Sequence, residues 1–255
     1  MKALTLLQYI NFGGTLEYLR MVKEGNNVHG EGYILGNINT LLDIVEKSDF
    51  AVTKRGIIIL KIFKEKLEKT PDTHKLTSDE TSGLFKIMEK LTFVVNAEST
   101  TKYAFFISEK RIDTKKLLFD MESLFAQDVF NVLIDSIQYD IKESGKCIAF
   151  ECPTASAFHT LRGLEGLLRV LLNKLSPQVD TSQMNWGPLI TELKNLSIPE
   201  LSILLDNLDR IRANYRNPTN HPEKIYNSEE AQDLFNLCVG IVNDIIGYMK
   251  DKGYI

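Results

Sequence analysis

The chain has 255 residues, 44% of them apolar, and carries 30 Lys and Arg against 34 Asp and Glu for a formal net charge of -4. That much apolar material suffices for one large domain or two smaller ones and excludes a disordered chain. The mild acidity and the lack of a Lys/Arg block exclude nucleic-acid binding driven mainly by counterion release, so any contacts with nucleic acid are expected to be few and local.

No apolar run is long enough for a membrane span; the longest candidate, 56–63, is interrupted by Lys61. Lys2 precedes an apolar stretch to Leu7, but Gln8, Tyr9 and Asn11 follow without a small-residue cleavage pattern, so a cytoplasmic protein with no membrane partner is expected. Cys147, Cys152 and Cys238 have no CxxC spacing and read as free thiols, not as a metal site.

Glycines at 13, 14, 25, 30, 32 and 36 break up the first 36 residues, leaving room for one helix over 16–23, and His29 falls in a polar surface loop. Helical periodicity begins at Ile38, with Leu41, Leu42 and Val45 on one stripe and Ile57, Leu60, Phe63 and Leu67 on a second. These two helices, joined over 49–54, have the look of a small helix-turn-helix unit, yet interspersed acidic residues argue against DNA reading. Thr70-Pro71-Asp72-Thr73-His74 reads as a loop and as the boundary between an N-terminal helical module, 1–75, and the remainder, 76–255.

Thr77 to Glu80 form a cap cluster for a helix with Leu84, Ile87, Met88 and Leu91 inward. The apolar runs 93–95 and 103–107 either pair as a small β-hairpin or extend the helix; periodicity does not separate the two. Asp113 starts a helix carrying Leu117, Leu118, Met121, Leu124 and Phe125, and a further helix over 129–143 stops near Gly145. Pro153 opens a long helix to about Lys174, with Leu161, Leu164, Leu168, Leu171 and Leu172 on one side. His159, Arg162, Gly166 and Arg169 share an arc on another side, with Glu165 at its edge.

Trp186 is expected to pack the connection that follows, before a short helix ending near Leu196. Ser197-Ile198-Pro199-Glu200 has the form of a capping box for the next helix, and Asn227-Ser228-Glu229-Glu230 for the last one, which buries Cys238. The fold class is therefore mainly α: an antiparallel helical bundle at the C-terminus, core about 128–255, an N-terminal helical module, and at most a small β-hairpin.

Between the last two bundle helices lies Tyr215-Arg216-Asn217-Pro218-Thr219-Asn220-His221-Pro222-Glu223, where two prolines forbid a continuous helix. Here a loop of restricted shape holds a fixed cation, Arg216, and a group that passes protons near neutral pH, His221. That pair suits phosphodiester chemistry. The plain structural alternative is that Arg216 caps carbonyls at the end of the preceding helix.

Arg216-Asn217-Pro218-Thr219-Asn220-His221 resembles the Rx4-6H motif of HEPN domains, in the form with Asn after Arg. The blocks 153–165 and 140–149 resemble the helices upstream of it in one branch of prokaryotic HEPN proteins, so the likeness covers about the C-terminal two thirds. The resemblance implies a metal-independent endoribonuclease of a prokaryotic defence or toxin-antitoxin system, without cofactors. It also implies RNA as substrate, a homodimer with a composite site, and an antitoxin or phage-sensing partner protein. Arg216 and His221 are its expected catalytic residues; Asn217, His159, Arg162 and Glu165 are expected to contact substrate or support the site, with Glu165 anchoring Arg216. The resemblance equally admits a non-catalytic HEPN dimer acting as an adapter or nucleotide-binding partner.

Overall fold

The computed structural model describes residues 5–255, so the expectation about Lys2 lies outside the described residues. The chain forms two compact units, Met1–Phe105 and Phe106–Ile255. The break therefore falls well beyond the loop at 70–74, because the helix after that loop completes the first unit's core.

In the first unit, helix α1 (Leu6–Met21) starts at a Thr5–Gln8 capping box and runs through Gly13 and Gly14, further than the expected 16–23. A glycine pair weakens a helix without blocking it, and buried Phe12, Leu16 and Leu19 at i, i+4 and i+7 supply the packing that local propensity lacks. Helices α2 (Ile34–Lys47), α3 (Ala51–Gly56) and α4 (Ile58–Leu67) follow. The expected connector 49–54 is thus partly helix. Helix α5 (Ser78–Ser99) is capped by the Thr77–Glu80 box and buries Leu84, Met88, Leu91 and Val95 in the core of α1, α2 and α4. Glu98 at its far end accepts from the Val52 and Thr53 amides and from the Thr53 hydroxyl, at 2.8–3.0 Å, and so caps α3.

The run 93–95 belongs to α5, and 103–107 forms neither helix nor strand. Among the described residues there is no strand, only an isolated bridge between Asn27 and Lys75, so the hairpin option is overturned. The α5 core stripe continues through Leu91 and Val95, and burial on that stripe decides for helix. His29 meets Thr70 Oγ1 at 2.9 Å and is partly buried rather than a free surface residue.

In the second unit Asp113 caps α6 (Thr114–Phe119), which ends earlier than the sequence stripe suggested and gives way to a 3-10 turn, Met121–Leu124. Helix α7 (Asp135–Ala149) begins after the expected start at 129 and runs through Gly145. That glycine is not a stop signal. A Cβ there would lie 2.2 Å from Met121 Cε and 2.9 Å from the Leu117 carbonyl oxygen, so its absence admits a close crossing by the preceding segment.

Helix α8 (Pro153–Leu175) starts at the expected proline. It runs antiparallel to α7: Ser144 meets Ser156 and Thr160, Asp140 meets His159 and Arg162, and Gly166 lies on Ile137, so one number rises as the other falls. Helix α9 (Trp186–Asn195) buries Trp186, α10 (Ser202–Ile211) follows, and α12 (Ser228–Asp251), capped by the Asn227–Glu230 box, packs on α8. A short turn between them, α11 (Asn217–Thr219), is taken up with the site. Cys238 is buried in this core, and burial pushes its thiol far up.

The Ser197–Glu200 capping box does not form. Ser197 turns left-handed at φ 51° to close α9, Pro199 opens a 3-10 turn, and Glu200 pairs with Lys252 at 3.0 Å. Among the described residues no helix is long and apolar enough to cross a membrane.

Candidate functional site around Arg216

Arg216 sits at the end of a wide turn. Past Ile211 the backbone opens into a π-helical stretch, Arg212–Arg216, in which the Asn217 amide reaches back five residues to the Arg212 carbonyl. The single turn α11 follows it and contains Pro218. Helical backbone thus continues through Thr219, where the two prolines had suggested a loop. The widened turn accommodates a residue with no amide to donate, and the Thr219 hydroxyl donates to the Tyr215 carbonyl at 2.6 Å. Buried Tyr226 ties the segment down, its hydroxyl 2.7 Å from Thr219 Oγ1 and its amide donating to Thr154 Oγ1 at 3.1 Å on α8. The break that the prolines impose comes later, between Asn220 and Asn227.

The helical turn puts Asn220 four residues beyond Arg216, and the Arg216 Nη1 donates to Asn220 Oδ1. Arg216 Nε donates to Glu165 Oε2 at 3.2 Å, so the expected anchor from α8 is present. The other oxygen of Glu165 accepts from Arg169 at 2.7 Å, and the same Arg169 nitrogen reaches the Met184 carbonyl at 2.6 Å. One nearly buried carboxylate thereby serves two guanidiniums, and the trio keeps a net charge of about +1. Among the described residues Arg216 makes no hydrogen bond to a helix carbonyl, and its Nη2 has no protein partner.

His221 and Asn217 are exposed. The His221 backbone is set by its amide bond to the Pro218 carbonyl at 2.9 Å, while its ring meets no hydrogen-bond partner among the described residues.

His159 and Arg162 stand elsewhere on α8, His159 half-buried and Arg162 exposed. Both turn to Asp140 of α7: His159 Nδ1 donates to Oδ1 at 2.9 Å, and Arg162 Nε lies 2.8 and 2.9 Å from the two oxygens. The hydrogen bond to Asp140 raises the Arg162 guanidinium above its ordinary pKa, with burial opposing and the carboxylate charge reinforcing the rise. Asp140 is 6% exposed and was missed from sequence, as were Arg169 and Asn220 as partners. Its signal was available: between Ile137 and Ile141, an acidic residue occupies the buried phase of α7. Gly163 brings the backbones close there, its place for a Cβ only 3.3 Å from Asp140 Cβ.

Among the described residues no three His, Cys, Asp or Glu side chains gather as a metal-ligand group. Chemically, the segment offers an anchored guanidinium with one uncommitted nitrogen, two amide side chains and an exposed imidazole. Comparison of the chain with protein-family models, with curated proteins and with solved structures finds no match.

Proposed function

We propose that the chain is a metal-independent endoribonuclease of HEPN type, acting in a prokaryotic defence or toxin-antitoxin system. The observation that carries this reading is Arg216, held by Glu165 and Asn220 with Nη2 left over, on the same short segment as the exposed His221. The segment's likeness to the Rx4-6H motif supplies the reaction. RNA brings its own nucleophile, the 2′-OH, so cleavage needs proton transfer and a cation for the charge that builds on the phosphate. His221 moves the proton and Arg216 steadies the phosphate oxygens, leaving 2′,3′-cyclic phosphate and 5′-OH ends. Asn217 holds a phosphate oxygen. One histidine cannot serve as base and acid at once, so a second copy of the chain completes a shared site. The Asp140–His159–Arg162 cluster stiffens the α7–α8 pair that carries Glu165.

A second reading is a non-catalytic dimer serving as adapter or nucleotide-binding partner. It draws on the His221 ring, which meets no carboxylate among the described residues, and on Glu165, which offsets part of the Arg216 charge.

The deciding experiment incubates purified protein with total RNA in EDTA. Cleavage that survives the chelator and falls by about 10²–10⁴ in Arg216→Ala and in His221→Ala is expected. RNA left intact by the wild type favours the adapter, and full activity in His221→Ala refutes the mechanism.

A further inference from the structure

In the first unit, the end of α3 with α4 and α5 lines an apolar groove of about 200 Å³, formed by Gly56, Ile59, Ile87, Leu91 and Val94 together with Lys86 and Lys90. That volume is below the roughly 300–1,000 Å³ of small-molecule sites, and suits one or two protruding side chains. The apolar surface continues outside it. Ile58 and Ile59 are more than half exposed, Ile62 is half exposed, and Phe93 is three-quarters exposed. At 100° per residue Ile58, Ile59 and Ile62 fall within about 100° of arc, a stripe running into the groove rather than scattered single residues.

The surrounding charge has one sign. Lys86 and Lys90 line the groove, Arg55 adjoins Gly56, and Lys66 stands seven residues beyond Ile59 on the same helix. None of these four cations has an ion pair or side-chain hydrogen bond among the described residues, whereas neighbouring Lys61 and Lys64 are paired with Glu46 and Glu68. Lys86 and Lys90 are a like-charge i, i+4 pair, which disfavours the helix carrying it. Glu65 stands about 120° around the axis from Ile59, and Glu89 about 100° from Lys90 and about 60° from Lys86, on the side away from Ile87 and Leu91. Such a patch on a chain of net charge -4 calls for an occupant with the opposite sign.

We infer that this groove docks an amphipathic helix of a partner protein, with aliphatic anchors on one face and acidic residues flanking them. From Ile87 to Val94 the groove wall spans about 10 Å of helix, the reach of anchors spaced i, i+4 and i+7. Concavity selects a protein helix over a lipid surface, which offers no ridge to fill the space. RNA would use the cations and leave the isoleucines bare. The inference does not depend on the ribonuclease reading of the other unit.

The test titrates the full chain into a fluorescently labelled amphipathic peptide of about five turns, carrying leucines at the anchor spacing with glutamate flanks, and follows anisotropy. Micromolar binding is expected, at least about tenfold weaker when lysine replaces the flanking glutamates and when the chain carries Ile59→Glu. In the doubly substituted Lys86→Glu, Lys90→Glu chain the preference should invert toward the lysine-flanked peptide, a gain that misfolding cannot mimic. Equal affinity for both peptides, or unchanged binding in Ile59→Glu, overturns the proposal. So does binding only to phosphatidylserine vesicles, or self-association abolished by Ile59→Glu in a chain that ignores the peptides.

Discussion

Replacing Glu165 by glutamine tests whether a single carboxylate organises the site. Its oxygens accept from Arg169 at 2.7 Å and from Arg216 at 3.2 Å. A charge-assisted hydrogen bond contributes about 1.5–3 kcal/mol, so two would give about 3–6 kcal/mol if fully desolvated. The Arg169 and Arg216 side chains are 32% and 23% exposed, and water screens part of that, leaving about 2–3 kcal/mol. Glutamine keeps the volume but only one acceptor oxygen, and turns an NH₂ toward a guanidinium that also only donates. At about 2–4 °C per kcal/mol, the melting temperature of the Phe106–Ile255 unit should fall by about 5–10 °C in Glu165→Gln. Trp186, the one tryptophan of the chain, is buried in that unit and reports its unfolding by fluorescence. A double-mutant cycle with Arg216→Ala should show a coupling of about 1 kcal/mol or more. A wild-type melting temperature for Glu165→Gln, or a cycle additive within about 0.3 kcal/mol, refutes the assignment of Glu165 as the anchor of Arg216.

Two further substitutions address the scaffold. Gly145→Ala puts a methyl group against the Leu117 carbonyl and Met121; overpacking of about 1–3 kcal/mol outweighs the helix gain of about 1 kcal/mol, so the Trp186 transition should drop. Gly240→Ala, with nothing within 4 Å of its new Cβ, should raise it by contrast, and a neutral or stabilising Gly145→Ala contradicts the close-crossing argument. For Glu98, burial pushes the carboxyl up, but the Thr53 and Val52 amides, the Thr53 hydroxyl and the Lys102 charge outweigh it, so its pKa lies below the ordinary 4.5. A carboxyl depressed on folding stabilises fully above its unfolded pKa and loses that contribution as pH falls through its folded one. Glu98→Gln should therefore weaken the first unit in urea unfolding at neutral pH, with the deficit closing below about pH 4. A pH-independent deficit would show that the carboxylate charge plays no part.

The proposed chemistry and the groove occupy separate units, and the two readings fail separately. Loss of RNA cleavage in His221→Ala says nothing about peptide docking at Ile59, and the reverse also holds.

What could be read from the sequence is what local physics controls. The Pro153 start of α8, the Thr77–Glu80 and Asn227–Glu230 boxes and the buried stripe that includes Cys238 follow from capping and helical period, which involve residues three to seven apart. The Glu165 anchor for Arg216 is an expectation of the family resemblance, not of capping or helical period. Tertiary structure decided the remainder. Gly13 and Gly14 lie inside a helix because its buried face outweighs their propensity, and Gly145 sits mid-helix because another segment crosses it. Ser197 closes one helix instead of opening the next. Around Arg216 the prolines suggest a loop, and the chain instead widens into a π turn in which the Tyr215 carbonyl accepts from the Thr219 hydroxyl. The Glu165–Arg216 contact joins residues 51 positions apart, and the burial of Asp140 depends on a neighbouring helix. Local propensity sets where helices are able to begin and end, whereas the burial of polar groups is settled only when distant segments remove water from them.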